Sequence, residues 1–266
     1  MKLPFFSAQE NGHPVAMAHR GFSVDGLENS MAAFRAAVDL GYRYLETDVH
    51  TTVDGVVLLF HDAVLDRVTD RVGRIAELTA DEVAKALIRG QETVPTFDQL
   101  VAAFPDTRFN LDVKDRNSVR SLAEAVEKNA VHDRVLIASF SDRRRRAVLR
   151  LLSRRTAASA GTAANAAFVA VSPLLSVPGL RFLARAFLGR VLRDVDALQV
   201  PVRYHGLPVV TPGFVRRAHS LGLYIHVWTI NDPATMQLLL DMGVDGLVSD
   251  RADLLKEVLE SRGVWS

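Results

Sequence analysis

Short runs of β-branched and apolar residues alternate along the chain with stretches patterned for helix, and this alternation limits the fold more than any other feature. The runs are VAMAH (15–19), YLETDVH (44–50), VVLLFH (56–61), FNLDVK (109–114), VLIAS (135–139), TAASA (156–160), ALQVP (197–201), YIHVWTI (224–230) and GLVSD (246–250). Strands separated by helices form right-handed βαβ units and hence a parallel sheet. A chain of 266 residues, 48% of them hydrophobic, can bury one large core. The pattern therefore predicts an α/β fold, a single (β/α)8 TIM-type barrel over residues 1–266; two small domains are the other arrangement that fits this length. Nine runs compete for eight barrel places. Asp54-Gly55, a tight-turn pair, separates the second run from the third by a few residues, so one of these two is expected to be a hairpin or an irregular strand.

The stretches between are easier to assign. MAAFRAAVDLG (31–41) carries apolar residues at helical spacing and ends on Gly41, while FVRRAHSL and ATMQLLLDM end before Gly222 and Gly243, the glycine that helices favour just past their last turn. No stretch reads as a linker. There is no cysteine, which excludes disulfides, thiolate metal sites and a cysteine nucleophile, so any metal must sit on oxygen or imidazole. With 32 basic and 31 acidic residues, no global field points to nucleic acid, and none is expected as a partner. The first fourteen residues, MKLPFFSAQENGHP, lack the apolar core of a signal peptide, which makes cytoplasmic the expected location.

Catalytic groups of parallel barrels gather at the C-terminal ends of the strands. Here those ends are polar: His19-Arg20-Gly21, Glu46 and Asp48, His61-Asp62, then Asp112 and Lys114. Glu46 and Asp48, two apart on a strand, leave one face together and would repel each other inside a barrel unless a cation lay between them. With Asp112 they offer three hard oxygen ligands suited to one divalent cation, Mg²⁺ or Ca²⁺. The alternative is that Glu46 and Asp48 face water or pair with Arg43. His19 and His61 are candidates for acid/base work near neutral pH, against the blander role of hydrogen-bonded core histidines. Arg20 and Lys114 suit phosphate oxygens, the arginine bidentately and the lysine as a point charge.

These residues fall within blocks that resemble one family. His19-Arg20-Gly21, Glu28-Asn29-Ser30, Leu45-Glu46-Thr47-Asp48-Val49, Thr52-x-Asp54-Gly55 and Phe60-His61-Asp62 are followed by Leu65-Asp66-Arg67-Val68-Thr69, Val94-Pro95-Thr96 and Leu111-Asp112-Val113-Lys114. Val227-Trp228-Thr229-Ile230-Asn231 and Gly243-Val244-Asp245-Gly246-Leu247-Val248-Ser249-Asp250 complete the set. In content and order they resemble the glycerophosphodiester phosphodiesterases, TIM-barrel enzymes akin to phosphatidylinositol phospholipase C. The resemblance implies metal-dependent cleavage of a glycerophosphodiester to an alcohol and glycerol 3-phosphate, by attack of the neighbouring glycerol hydroxyl on phosphorus and a cyclic phosphate that water opens. It implies His19 and His61 as the acid/base pair, Glu46, Asp48 and Asp112 on Mg²⁺ or Ca²⁺, and Arg20 and Lys114 on the phosphate. Glu28 and Asn29 would lie at or behind the metal, or, with Ser30, cap the helix starting near Met31. Trp228 would stack on the glycerol or lipid part of the substrate, or be core; Asn231 could be a turn former only.

Two features depart from the family. Asp112 stands where glutamate is commoner, a shorter arm that bears on ion choice. Residues 163–196 form a long apolar insertion late in the barrel, and after Pro178 it places Leu180, Leu183, Ala184, Phe187, Leu188 and Val191 on one helical face, with Arg181, Arg185 and Arg193 elsewhere. It reads as an ordinary barrel helix with its loop, as a hydrophobic lid favouring lysophospholipids, or as a peripheral membrane contact through 174–193. Arg143-Arg144-Arg145-Arg146, preceded by the helix cap Ser141-Asp142, is expected to be a solvated helix start with some ion pairing. Of the other histidines only His205 is placed where it could reach the mouth. Rival functions are a lysophospholipase D or sphingomyelinase D-like activity on acylated substrates, and a non-catalytic membrane-associated binding module; an intact acid/base pair argues against the last.

Overall fold

Hydrogen bonding decides which of the nine runs builds the barrel. The structure, a computed structural model, describes residues 3–10 and 12–265. Its parallel strands are β1 (Val15–His19), β2 (Tyr44–Thr51), β3 (Arg108–Val113), β4 (Val135–Ala138), β5 (Ala157–Ala158), β6 (Ala197–Pro201), β7 (Tyr224–Trp228) and β8 (Gly246–Ser249). They run in the order β5-β4-β3-β2-β1-β8-β7-β6. The ring closes where Ser159 bridges Ala197 and the Ala160 amide donates to the Ala197 carbonyl at 2.9 Å. The third run pairs antiparallel with β2 through Val57–Leu59 and stays outside the barrel. It is the hairpin return that Asp54-Gly55 announces, with Gly55 at φ +89°. His61 therefore ends a hairpin arm rather than a barrel strand.

Helices begin where side chains can hold the orphan amides of the first turn. Ser30 caps Met31–Asp39, Thr96 with Gln99 forms a capping box on Phe97–Ala103, and Thr211 and Asp232 cap Pro212–Ser220 and Pro233–Asp241, each with proline in the first turn.

Strand parity divides the core in two. Along β1, Ala16 and Ala18 join the layer between sheet and helices, while Val15 and Met17 point into the barrel. The same alternation puts Tyr44 of β2, Leu136 and Ala138 of β4, Ala197 of β6 and Val248 of β8 inside. The lower end is plugged by Phe5 and Phe6, 1% and 2% exposed. Phe6 stacks on Tyr224 at 4.5 Å, and the Tyr44 hydroxyl donates to the Phe5 carbonyl at 2.9 Å. Above this plug lies His226, completely enclosed, its ring nitrogens 2.8 Å and 3.3 Å from the side-chain amides of Gln9 and Gln199. Gly246 is required beside it, because a Cβ there would stand 2.9 Å from the imidazole edge and 3.0 Å from the Val15 carbonyl oxygen.

The 163–196 insertion is two helices, Thr162–Val171 and Arg181–Val191, joined by a 3-10 turn at Ser172–Ser176. Thr162–Val171 buries Ala164 and Phe168 as a barrel helix does. The face expected on the second helix is only a strip: Ala184 and Leu188 are buried, whereas Leu180, Leu183 and Phe187 are 42%, 65% and 49% exposed. That helix rests outside the first, so one narrow stripe finds partners among the described residues. The arginine run is also less solvated than expected. Arg145 is fully buried, donating to the Asp194 carbonyl at 2.8 Å, and Arg144 and Arg146 donate to the carbonyls of Val113 and Val191. These arginines tie the helix Asp142–Leu149 to neighbouring segments of chain.

Burial pushes His226 down to about 3. Between there and the ordinary value near 6.5, the unfolded chain takes up a proton that the folded chain refuses, so this contribution is complete above about pH 6.5 and is lost as pH falls. Wild type is expected to lose about 2 kcal/mol more stability than His226→Gln between about pH 6.5 and about pH 5, read from urea denaturation at both pH values; parallel losses would contradict this account.

Candidate active site

The parity that sends Met17, Tyr44 and Leu136 inward carries His19, Glu46, Asp48 and Asp112 to the upper mouth. Register does the rest: Asp48 lies beside Asp112, and Glu46 lies between His19 and Asn110. Glu46, Asp48 and Asp112 are 7%, 1% and 7% exposed, so none faces water, and Arg43 is not their partner. Lys114 sets its Nζ 2.7 Å from both Asp48 Oδ1 and Asp112 Oδ2. Arg20 Nε lies 3.0 Å from Asp48 Oδ2. To bring it there the backbone turns left-handed at Arg20, φ +55°, and at Gly21, φ +84°, where a Cβ would stand 2.6 Å from the Ala33 carbonyl carbon.

Charge and burial split the three carboxyls. Burial raises Asp48, but Lys114 and Arg20 outweigh it and hold the group low. Burial, then the Asp48 charge, push Glu46 up to about 7. Burial also raises Asp112 despite Lys114, and Asp112 Oδ1 is buried without a hydrogen-bond partner.

Each histidine at the mouth is gripped at Nδ1 by a carboxylate. His19 Nδ1 is 2.5 Å from Asp250 Oδ1, with Nε2 3.8 Å from Glu46. Burial lowers the proton affinity of His19, but Glu46 and Asp250 outweigh it and the net shift is upward. Asn231 holds Asp250 by donating to its Oδ2 at 2.8 Å and accepting from its amide at 2.9 Å. His61 Nδ1 is 2.6 Å from Asp62, which pairs with Arg67 at 2.5 Å. Arg67 reaches Glu28 at 2.6 Å, and Glu28 reaches Arg20 at 3.0 Å. Beneath His61, His50 sits 2.6 Å from Asp115 and 3.2 Å from the His61 carbonyl. In the Glu28-Asn29-Ser30 block, Ser30 caps the helix, while Asn29 donates to Asp48 at 3.1 Å and accepts from Thr47 at 2.7 Å.

His19, Arg20, Glu46, Asp48, His61, Asp112, Lys114 and Trp228 thus line one cleft of about 610 Å³; Glu28 and Asn29 stand behind it. Among the described residues no group of three His, Asp or Glu side chains is closed in metal-binding geometry. The donor set nevertheless fits a hard dication: carboxylate oxygens buried together, one of them orphaned and another carboxyl pushed toward protonation by burial and by the Asp48 charge.

The pattern of the glycerophosphoryl diester phosphodiesterase family covers residues 19–254. The chain belongs to that family. It is 44% identical over 256 residues, 96% of this chain and 94% of the relative, to a probable glycerophosphodiester phosphodiesterase 2 of Mycobacterium tuberculosis. It is 24% identical to a lysophospholipase D of Rattus norvegicus, over 92% of this chain and 86% of that one. The fold matches an Oleispira antarctica phosphodiesterase solved with its product sn-glycerol-3-phosphate, at TM-score 0.73 and 21% identity, covering 94% and 98% of the two chains.

Within this member of the family, several site residues escape a motif reading. Asp250 closes the block ending in Ser249-Asp250, yet its grip on His19 becomes visible only when β8 is seen beside β1. Asn231 is more than a turn former, since it fixes Asp250. Arg67 and Asp62 were legible as motif letters without a role. His205 does not reach the mouth; its neighbour Tyr204 lines the cleft instead. Because Asp250 raises His19, Asp250→Asn is expected to lower the pH at which the His19 imidazole titrates, followed by NMR on folded protein. An unmoved midpoint would show that Glu46 alone sets it.

Proposed function

We propose that this chain, as one catalytic domain, hydrolyses glycerophosphodiesters to an alcohol and glycerol 3-phosphate, with His19 and His61 as the acid/base pair and one divalent cation, Mg²⁺ or Ca²⁺, on Glu46, Asp48 and Asp112. The observation that carries this reading is two imidazoles, each fixed at Nδ1 by a carboxylate, opening into the cleft that holds the three buried carboxyls. A carboxylate on Nδ1 sets the ring orientation and leaves Nε2 as the working nitrogen. One imidazole can then take a proton from the oxygen attacking phosphorus while the other protonates the departing alkoxide. When bound, the cation would polarise the phosphoryl oxygen and favour ionisation of the attacking hydroxyl. Arg20 and Lys114 face the same space with positive charge for the phosphate oxygens, and Arg20 is braced through Glu28 by Arg67. Trp228 forms a side of the cleft for the part of the substrate beyond the phosphate.

The expected substrate is therefore a small diester rather than nucleic acid. No helix of the described residues is long and apolar enough to cross a membrane. Glycerophosphocholine hydrolysis should vanish with chelator and return with Mg²⁺ or Ca²⁺, and His19→Ala and His61→Ala should each lower kcat about 10²–10⁴-fold with an unchanged circular dichroism spectrum. Full activity in chelator would refute the cation, and full activity in either variant would refute that histidine's role.

A further inference from the structure

Charge is shared unevenly along this nearly neutral chain. Residues 143–193 hold eleven arginines and no aspartate, glutamate or lysine, so that stretch carries +11 and, against +1 for the whole chain, the remainder carries −10. The fold neutralises part of this excess. Arg154 pairs with Asp133 at 3.6 Å, Arg155 with Asp196 at 2.6 Å and Arg193 with Asp194 at 3.3 Å. Arg181, Arg185 and Arg190, all on the helix Arg181–Val191, are exposed and form no ion pair with a carboxylate among the described residues.

The same helix leaves its apolar side chains uncovered. Phe182 is 80% exposed, Leu183 and Phe187 stay open beside it, and Leu174 and Val177, just before the helix, are 39% and 42% exposed. Single exposed apolar residues are ordinary, but a group of them on one helix and its lead-in is a contact surface. At 3.6 residues per turn, Phe182 stands opposite the buried stripe of Ala184 and Leu188. Arg185 and Arg190 flank it, and Leu183 and Phe187 run along one side.

Charge and shape select what covers this face. Apolar side chains interleaved with unpaired arginines, and no carboxylate among them, match a partner that is anionic at its surface and apolar just beneath. A second copy of the chain fits poorly, because a two-fold interface would set these arginines against their own equivalents. The face is the convex outside of a helix, which enters between headgroups rather than enclosing a peptide. At 11 residues the helix is too short to span a bilayer and suited to lying in its surface. We infer that the helix Arg181–Val191 docks this protein on an anionic lipid surface. Phe182, Leu183 and Phe187 enter the headgroup region, and the arginines extend along it to the lipid phosphates.

The test is cosedimentation of the full chain with vesicles of equimolar phosphatidylcholine and phosphatidylglycerol, and with vesicles of phosphatidylcholine alone. Wild type should bind the mixed vesicles at least about tenfold more tightly. The variants R181Q/R185Q/R190Q and F182S/F187S, altered only at exposed positions, should each weaken binding to mixed vesicles by about tenfold or more while keeping the wild-type circular dichroism spectrum. Failure to sediment with mixed vesicles, equal binding to both vesicle types, or affinity unchanged in either variant would overturn the docking. Sedimentation velocity without lipid checks the rival occupant: wild type should be indifferent to F182S/F187S, whereas a dimer that this variant dissociates would assign the face to a second copy and overturn the lipid reading. Vesicle binding requires no turnover, so this docking and the hydrolytic reading stand or fall separately.

Discussion

Three carboxyl groups buried side by side at the end of a barrel are the constraint on which the site depends. Unpaired, each would cost several kcal/mol of lost hydration. Lys114 between Asp48 and Asp112, and Arg20 against Asp48, supply two positive charges against three negative ones. The balance is one charge short, and Glu46 shows it, drawn toward protonation by burial and by Asp48. A bound dication would turn this deficit into an excess of one positive charge. Under the proposed function, that excess would match the single negative charge of a phosphodiester.

Satisfying those charges recruits parts of the chain far apart in sequence. Arg20 reaches Asp48 because the backbone turns left-handed at Arg20 and Gly21, which lets the segment after β1 lie against the helix Met31–Asp39. Its guanidinium also binds Glu28, Glu28 binds Arg67, Arg67 binds Asp62, and Asp62 orients His61. His19 is oriented from the opposite side, through Asp250 and Asn231. Each imidazole is therefore fixed by a carboxylate that is itself fixed, and the two supports come from different loops. The two imidazoles keep fixed positions on loops because rigid strands and paired charges remove their freedom.

How far this was readable in advance depended on period and on distance. The strand alternation and the inward parity of Glu46, Asp48, Asp112 and Lys114 are local facts, written every second residue, and they predicted both the barrel and the polar mouth. The third run yielded to a turn signal, Asp54-Gly55. Contacts set by closure of the ring were not legible: Asp250 meets His19 because the last strand returns beside the first, and no spacing encodes that neighbour. The helix Arg181–Val191 stayed open to three readings because amphipathic spacing states which residues could be buried, not how wide a neighbour will cover them. The arginine run misled, since a charge count does not register carbonyl ends waiting for donors, which is what buries Arg145.

The wide, apolar side of the cleft follows from the thinnest part of the barrel. β5 is two residues long, and beyond it Ser159, Ala160 and Gly161 line the mouth with little side-chain volume. The barrel still closes, through the Ser159–Ala197 bridge and a hydrogen bond of 2.8 Å from the Asp196 amide to the Ala158 carbonyl. Small residues at this seam leave room that long side chains would fill, and the neighbouring connections use it: helix Thr162–Val171 turns Ala166, Val169 and Ala170 toward the space, and the hairpin after β6 overhangs it with Tyr204 and Leu207. Gly161 could not carry a side chain, since a Cβ would meet the Asp142 amide nitrogen at 2.7 Å. Asp142 in turn accepts from the amides of Gly161 and Ala164 at 3.0 Å each, fixing the start of that helix. The charged side of the cleft is thus built on β1 to β3, where strands are long and parity is strict, and the apolar side around β5, where the sheet is shortest. Under the proposed function the phosphate would lie on the long-stranded half, and the group attached to it would meet the short-stranded half.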